Sequence, residues 1–209
     1  MNKALLISFL ALISLTGCNK VTTVEEAIVQ NKNISISLPT QWQIADNNDF
    51  KELKGFEHVL GVYKINEDNN PLNQFIISVE ANKFDLTTQK YIENTRNLML
   101  KSSPNLNFSK EVKTVLNGVP GILLGHSRPG PQGINIKVNQ IILLNNDIFY
   151  IITYTGQETE FKAWEKKVMK QLETFKTLAS YPEGLEKVDP SVLETANQAA
   201  TKTEVNTVK

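Results

Sequence analysis

The chain has 209 residues, 22 basic and 22 acidic, with two histidines and a single cysteine. This balance gives no global field to draw in nucleic acid or acidic lipid. Only Arg96 and Arg128 carry the guanidinium fork suited to phosphate, so no nucleic-acid partner is expected. A lone cysteine rules out an intramolecular disulfide, so the fold must rest on a hydrophobic core, and this length is enough to build one.

Lys3 precedes the run Ala4 to Leu15, which is apolar except for Ser8 and Ser14. A helix needs about 20 apolar residues to span a bilayer, so this run is too short. A charged start, a short apolar run and small residues before a break are the marks of an export signal. Residues 1–17 are therefore expected to be a signal peptide. The break itself, Leu15-Thr16-Gly17-Cys18, resembles the lipobox of bacterial lipoproteins. The resemblance implies cleavage before Cys18, a thioether-linked diacylglycerol on its thiol and usually an amide-linked third chain. Two or more acyl chains anchor a protein stably, at about 0.8 kcal/mol per buried CH₂. The expected location is thus a lipid anchor in the bacterial cell envelope, facing the periplasm. In enteric-type lipoproteins Asp after the cysteine favours the inner membrane; Asn19 stands there, which favours the outer one.

Residues 18–32 are polar without a period and read as a tether. Ile34, Ile36 and Leu38 alternate with serines, which predicts a half-buried strand ended by Pro39. Residues 39–57 read as a long connection whose Trp42, Phe50 and Phe56 hold it down. His58 to Ile65 and Gln74 to Glu80 read as a hairpin. From Thr87 to Ser102 the period becomes helical, through Tyr91, Ile92, Thr95, Leu98 and Met99, with Asp85 or Thr87 as the cap.

Ser109 to Leu116 and Val119 to Arg128 flank Asn117-Gly118, a favoured hairpin turn. After a turn at Gly130 to Gly133, two very apolar strands follow, Ile134 to Leu144 and Ile148 to Thr155, joined at Asn145-Asn146-Asp147. They are expected at the centre of the sheet. Glu158 to Leu178 reads as a second helix, with Phe161, Trp164, Val168, Leu172 and Phe175 on one stripe. Thr155 or Gln157 sits near its start, and Gly156 is expected to permit the break from the strand. Residues 179–209 are polar and read as a flexible tail, with transient helix near Ser191 to Ala200. Short turns between successive strands give a mainly antiparallel sheet flanked by helices, an α+β class. The folded domain is expected over residues 33–178.

This domain resembles the PsbP/DcrB-like superfamily, which includes the eukaryotic Mog-type Ran-binding factors. The resemblance is carried by Leu38-Pro39 with Trp42 three residues on, the hairpin at 58–80, the mid-chain helix, and the closing helix ending Leu172-Glu173-Thr174-Phe175. Gln41 stands where members usually have glycine. The resemblance implies an antiparallel sheet packed between helices, an α-β-α sandwich, and a binding or assembly role without catalysis.

No catalytic motif is present: there is no Gly-x-Ser-x-Gly, no phosphate-binding glycine loop, no Cys-x-x-Cys and no His-Glu-x-x-His. No cofactor or metal is expected. His58 and His126, with Glu57, would have to meet across the sheet to hold zinc, which wants three or four close ligands. The segment from Gly125 to Gly133 contains His126, Ser127 and Arg128 within a glycine- and proline-rich stretch. It is a candidate recognition loop for a partner or an anionic group, set against a plain turn. A hydrolase using His126 and Ser127 would also need a third group and an oxyanion hole. Trp42, Trp164 and Phe175 are read as core, with the walls of a small apolar or lipid-binding pocket as the alternative. The function expected is a membrane-tethered, non-catalytic binding or assembly module. Its partners are the membrane, through Cys18, and an envelope protein.

Overall fold

The computed structural model describes residues 26–44, 56–65, 73–181, 183, 186 and 187. Cys18, the signal peptide and residues 188–209 lie outside the described residues. The strands run β1 Glu26–Gln30, β2 Ile34–Pro39, β3 Trp42–Ile44, β4 Phe56–Ile65, β5 Gln74–Ala81, β6 Asn107–Phe108, β7 Val112–Leu116, β8 Val119–Pro129, β9 Asn135–Asn145, β10 Ile148–Gln157 and β11 Lys176–Thr177. The helices are α1 Thr88–Ser102 and α2 Phe161–Leu172.

Eight strands form one antiparallel sheet in the order β3-β4-β5-β10-β9-β8-β6, with β7 also paired to β8. The two most apolar strands, β9 and β10, are central, as their composition predicts. Each carries two apolar sets, because successive side chains point to opposite faces. Ile141, Leu143, Tyr150 and Ile152 join one core with Phe75, Ile77 and residues of β2 and α2. Ile142, Phe149 and Ile151 join a second core with Ile122, Leu124 and Ile92 of α1. The sheet is thus sandwiched between α1 on one face and, on the other, α2 with the small sheet β1-β2-β11.

The turns follow residue chemistry. Asn117 and Gly118 have φ of 47° and 83°, and Asn146 and Asp147 have 50° and 57°, matching the two-residue hairpin turns that need positive φ twice. Thr87, not Asp85, caps α1: its hydroxyl accepts from the Lys90 N–H at 3.2 Å.

Several boundaries differ from expectation. Part of the predicted tether is strand β1, which pairs with β2 from Glu26↔Pro39 to Gln30↔Ser35 and turns Val29 to the core. The predicted connection after Pro39 contains β3, where Trp42 is buried. Helix α2 starts at Phe161 and stops at Leu172, well short of Leu178. It ends where the Asn117 side-chain amide donates to the carbonyls of Leu172 and Phe175, and the chain then pairs with β2 through β11. Phe175 is buried beyond the helix, edge-on to Tyr150.

Gly156 does not break the strand, since β10 runs to Gln157. Glycine is needed because a Cβ there would lie 2.8 Å from Asn73 Oδ1 and 3.1 Å from Trp164 Cδ1. The start of the predicted tail is also attached. Ala179 is buried and its N–H donates to the Tyr150 hydroxyl at 3.1 Å. Lys187 pairs with Asp85 at 3.2 Å and Asp147 at 3.0 Å.

Two substitutions test this packing. Ile152→Ala, at a fully buried central position, is expected to cost about 2–5 kcal/mol in chemical denaturation. Gly156→Ala is expected to cost about 1–3 kcal/mol by overpacking against Trp164. Unchanged midpoints for either would show that the central strands are not packed as described.

Candidate functional site

His126, Ser127 and Arg128 lie within strand β8, not in a loop. Only the turn after them is irregular, with Gln132 and Gly133 at φ of 56° and 76°. β8 pairs with β9 along this stretch, His126↔Val138, Ser127↔Lys137 and Arg128↔Ile136. On its other side it takes the short strand β6, Asn107↔Ser127 and Phe108↔His126.

The strand alternation places Ser127 on the face opposite His126 and Arg128. His126 is on the α1 face, 5% exposed, with its ring centroid 5.6 Å from that of Phe108. The Arg96 guanidinium sits 5.0 Å from the Phe108 ring centroid and pairs with Glu111 at 3.1 Å. Burial, and secondarily the Arg128 charge, holds the His126 imidazole below its ordinary pKa of 6.5, so the ring is neutral at neutral pH. Its Nδ1 is buried without a hydrogen-bond partner among the described residues.

Ser127 is on the opposite face. Its hydroxyl is 3.5 Å from Glu158 Oε1, at the outer limit of a hydrogen bond. Its cross-strand neighbour Lys137 holds Nζ 5.0 Å from the Phe161 ring centroid. His126 therefore cannot take a proton from Ser127, and the hydrolase arrangement is absent from this geometry. An open depression of about 210 Å³ lies at this sheet edge, where His126 and Ser127 both border it together with Asn107, Phe108, Ser109, Lys137 and Glu158. It is smaller than the roughly 300–1,000 Å³ of a small-molecule site.

The metal arrangement fails on topology. His58 is in β4 and His126 in β8, with β5, β10 and β9 between. Four inter-strand steps of about 4.8 Å put these backbones roughly 19 Å apart. The pocket alternative fails on packing. Trp42, Trp164 and Phe175 are 6%, 2% and 1% exposed, and the two indoles lie 5.2 Å apart between centroids. Among the described residues they are packed into the core.

The most developed polar groups were not singled out by sequence. Tyr154 donates to Glu165 Oε1 at 3.1 Å, and Asn139 donates to the same oxygen at 2.7 Å. Tyr91 donates to Glu80 Oε2 at 2.5 Å on the other face. Each helix is thereby tied to the sheet by one tyrosine–glutamate bond. Burial first, then the glutamate beside it, raises the Tyr91 hydroxyl well above the phenol range. Burial also leads the rise at Tyr154, with its Asn139 bond opposing and Glu165 adding. Glu80 is raised by burial, opposed by the Tyr91 hydrogen bond and by Lys83. Protonated tyrosines in such places serve as fixed donors, which is a structural task. No sequence signal marks these pairs, because the partners are 11 residues apart in both cases and joined only by the fold.

The lowered His126 pKa has a consequence for stability. A group depressed in the folded state stabilises above its unfolded value and loses that contribution as pH falls through its folded value. Denaturation midpoints should therefore drop as pH falls below 6.5, and His126→Gln should remove the part of that drop due to the imidazole. Identical pH profiles for the two proteins would show that His126 is not held neutral by burial.

No family model matches the sequence, and no curated protein matches it. Solved structures do match. The cyanobacterial PsbP protein of Synechocystis superposes with a TM-score of 0.53 at 8% identity, covering 78% of this chain and 98% of that one. LpqN, involved in cell envelope biogenesis of Mycobacterium tuberculosis, gives 0.49 at 15% identity over 75% and 92%. A protein of unknown function from Pseudomonas aeruginosa gives 0.47 at 15% identity over 71% and 94%. The match to the Synechocystis protein shows that the α+β domain has the PsbP-like fold. A fold of this kind does not by itself name an activity.

Proposed function

We propose that the chain is a lipoprotein that holds a non-catalytic binding or assembly module at a membrane of the cell envelope. Cys18 carries the lipid, and the domain faces the periplasm, with the outer membrane favoured by Asn19. The observation that carries this reading is the sole cysteine placed at the end of a short apolar run, in Leu15-Thr16-Gly17-Cys18. Two structural findings support it. Strand β1 begins at Glu26, so the folded domain starts close behind the proposed anchor. His126 and Ser127 face opposite ways, and the aromatic residues are packed among the described residues, which favours this reading over a His126–Ser127 hydrolase or an apolar-ligand carrier.

A tethered module needs no active site, because confinement near the bilayer raises its effective concentration for membrane-bound partners. An envelope protein is the partner class this reading requires. Cell fractionation tests it. The wild-type protein should sediment with membranes and resist extraction by salt, whereas Cys18→Ser should appear in the soluble fraction or remain as uncleaved precursor. Mature, membrane-bound Cys18→Ser would overturn the anchoring. A detergent-solubilised pull-down of the wild type that recovers no envelope protein would overturn the assembly role.

A further inference from the structure

We propose that the outer face formed by α2 and the β1-β2-β11 sheet rests on an anionic bilayer surface, with Lys162, Lys166 and Lys170 against the lipid headgroups. This rests on the anchoring through Cys18 proposed above. The three lysines are exposed and spaced four residues apart on α2, so they form one row along the helix. The row ends beside the chain that leads to the anchor, because Lys170 Nζ is 3.7 Å from Glu26 Oε1 at the start of β1. Both partners of that pair are solvent-accessible, so it is a weak contact that leaves Lys170 available to headgroups.

Two apolar residues stand on the same side. Ile28 is 75% exposed and Leu178 43%. Their neighbours Val29 and Thr177 turn the other way, Val29 to the core and Thr177 to Asn145. A lysine row beside isolated apolar side chains is the composition that settles at a headgroup boundary.

Chain length decides which face can reach the membrane. Eight residue steps separate Cys18 from Glu26. Fully extended they span at most about 29 Å. A domain of about 150 residues has a radius of gyration of about 15 Å and is roughly 40 Å across, so its far side is roughly 60 Å away around the surface. Helix α1 packs on the opposite face of the large sheet from α2. The tether is too short to let α1 face the bilayer, and it brings the lysine row there. The neutral total charge does not oppose this, because the anchor already supplies proximity and only the local row must be attracted.

The mature lipidated protein, beginning at Cys18, is to be reconstituted into phosphatidylglycerol-containing vesicles and into pure phosphatidylcholine vesicles, with a single reporter cysteine at Met169→Cys or at Asn97→Cys. Residue 169 lies within the lysine row and residue 97 is exposed on α1. Labelling by a bulky membrane-impermeant maleimide is then timed. Met169→Cys should react at least about fivefold more slowly in the anionic vesicles, the factor that one lysine near an anionic surface supplies. Asn97→Cys should react equally in both. Reversing the row with Lys162→Glu, Lys166→Glu and Lys170→Glu should abolish the protection. Equal Met169→Cys rates in the two vesicle types, or protection that survives charge reversal, would overturn the proposed face. Flotation separates the two claims: protein that floats with vesicles but is unprotected refutes only this face, while protein that fails to float refutes the anchoring and this face together.

Discussion

The burial of β9 and β10 on both faces is the constraint from which the rest of the structure follows. A strand pair with large apolar residues on both of its faces cannot leave either face to water. Ile141, Leu143, Tyr150 and Ile152 demand one cover, and Ile142, Phe149 and Ile151 demand another. Each fully buried side chain of this kind is worth about 1.5–3 kcal/mol relative to exposure. One cover is α1. The other needs more area than a 12-residue helix provides, and the small sheet supplies it through Ile34, Ile36 and Leu38. The tyrosine–glutamate bonds then fix the helices against sliding, and the segment through Ala179 closes over Tyr150.

Much of this was legible in the sequence where local chemistry decides the outcome. The Asn117-Gly118 turn, the α1 span, and the central place of the two apolar strands follow from propensity and period alone, while the choice of Thr87 over Asp85 as the cap needed the fold. Legibility failed where a distant contact overrides local preference. Glu26 to Gln30, read as part of a tether, becomes strand by pairing along β2 with Val29 turned to the core. Helix α2 stops early because Asn117, 55 residues away, takes the Leu172 carbonyl. Gly156 looked like a strand breaker but is required by the approach of Trp164.

The candidate site shows the same limit more sharply. Gly125 to Gly133 has the composition of a loop, yet its first half is strand, paired on both edges. That pairing sends His126 and Ser127 to opposite faces, which no reading of neighbours in sequence can weigh without knowing the strand. The polar pairs that do have defined geometry, at Tyr91 and Tyr154, are products of the packing and hold helices in place.

The proposed anchoring rests on Cys18. Mass spectrometry of the intact protein purified from membranes measures it directly. The account requires a mature chain that begins at Cys18 and carries the added mass of a diacylglycerol, with or without a third acyl chain. A chain that retains residues 1–17, begins elsewhere, or carries an unmodified Cys18 thiol would contradict it.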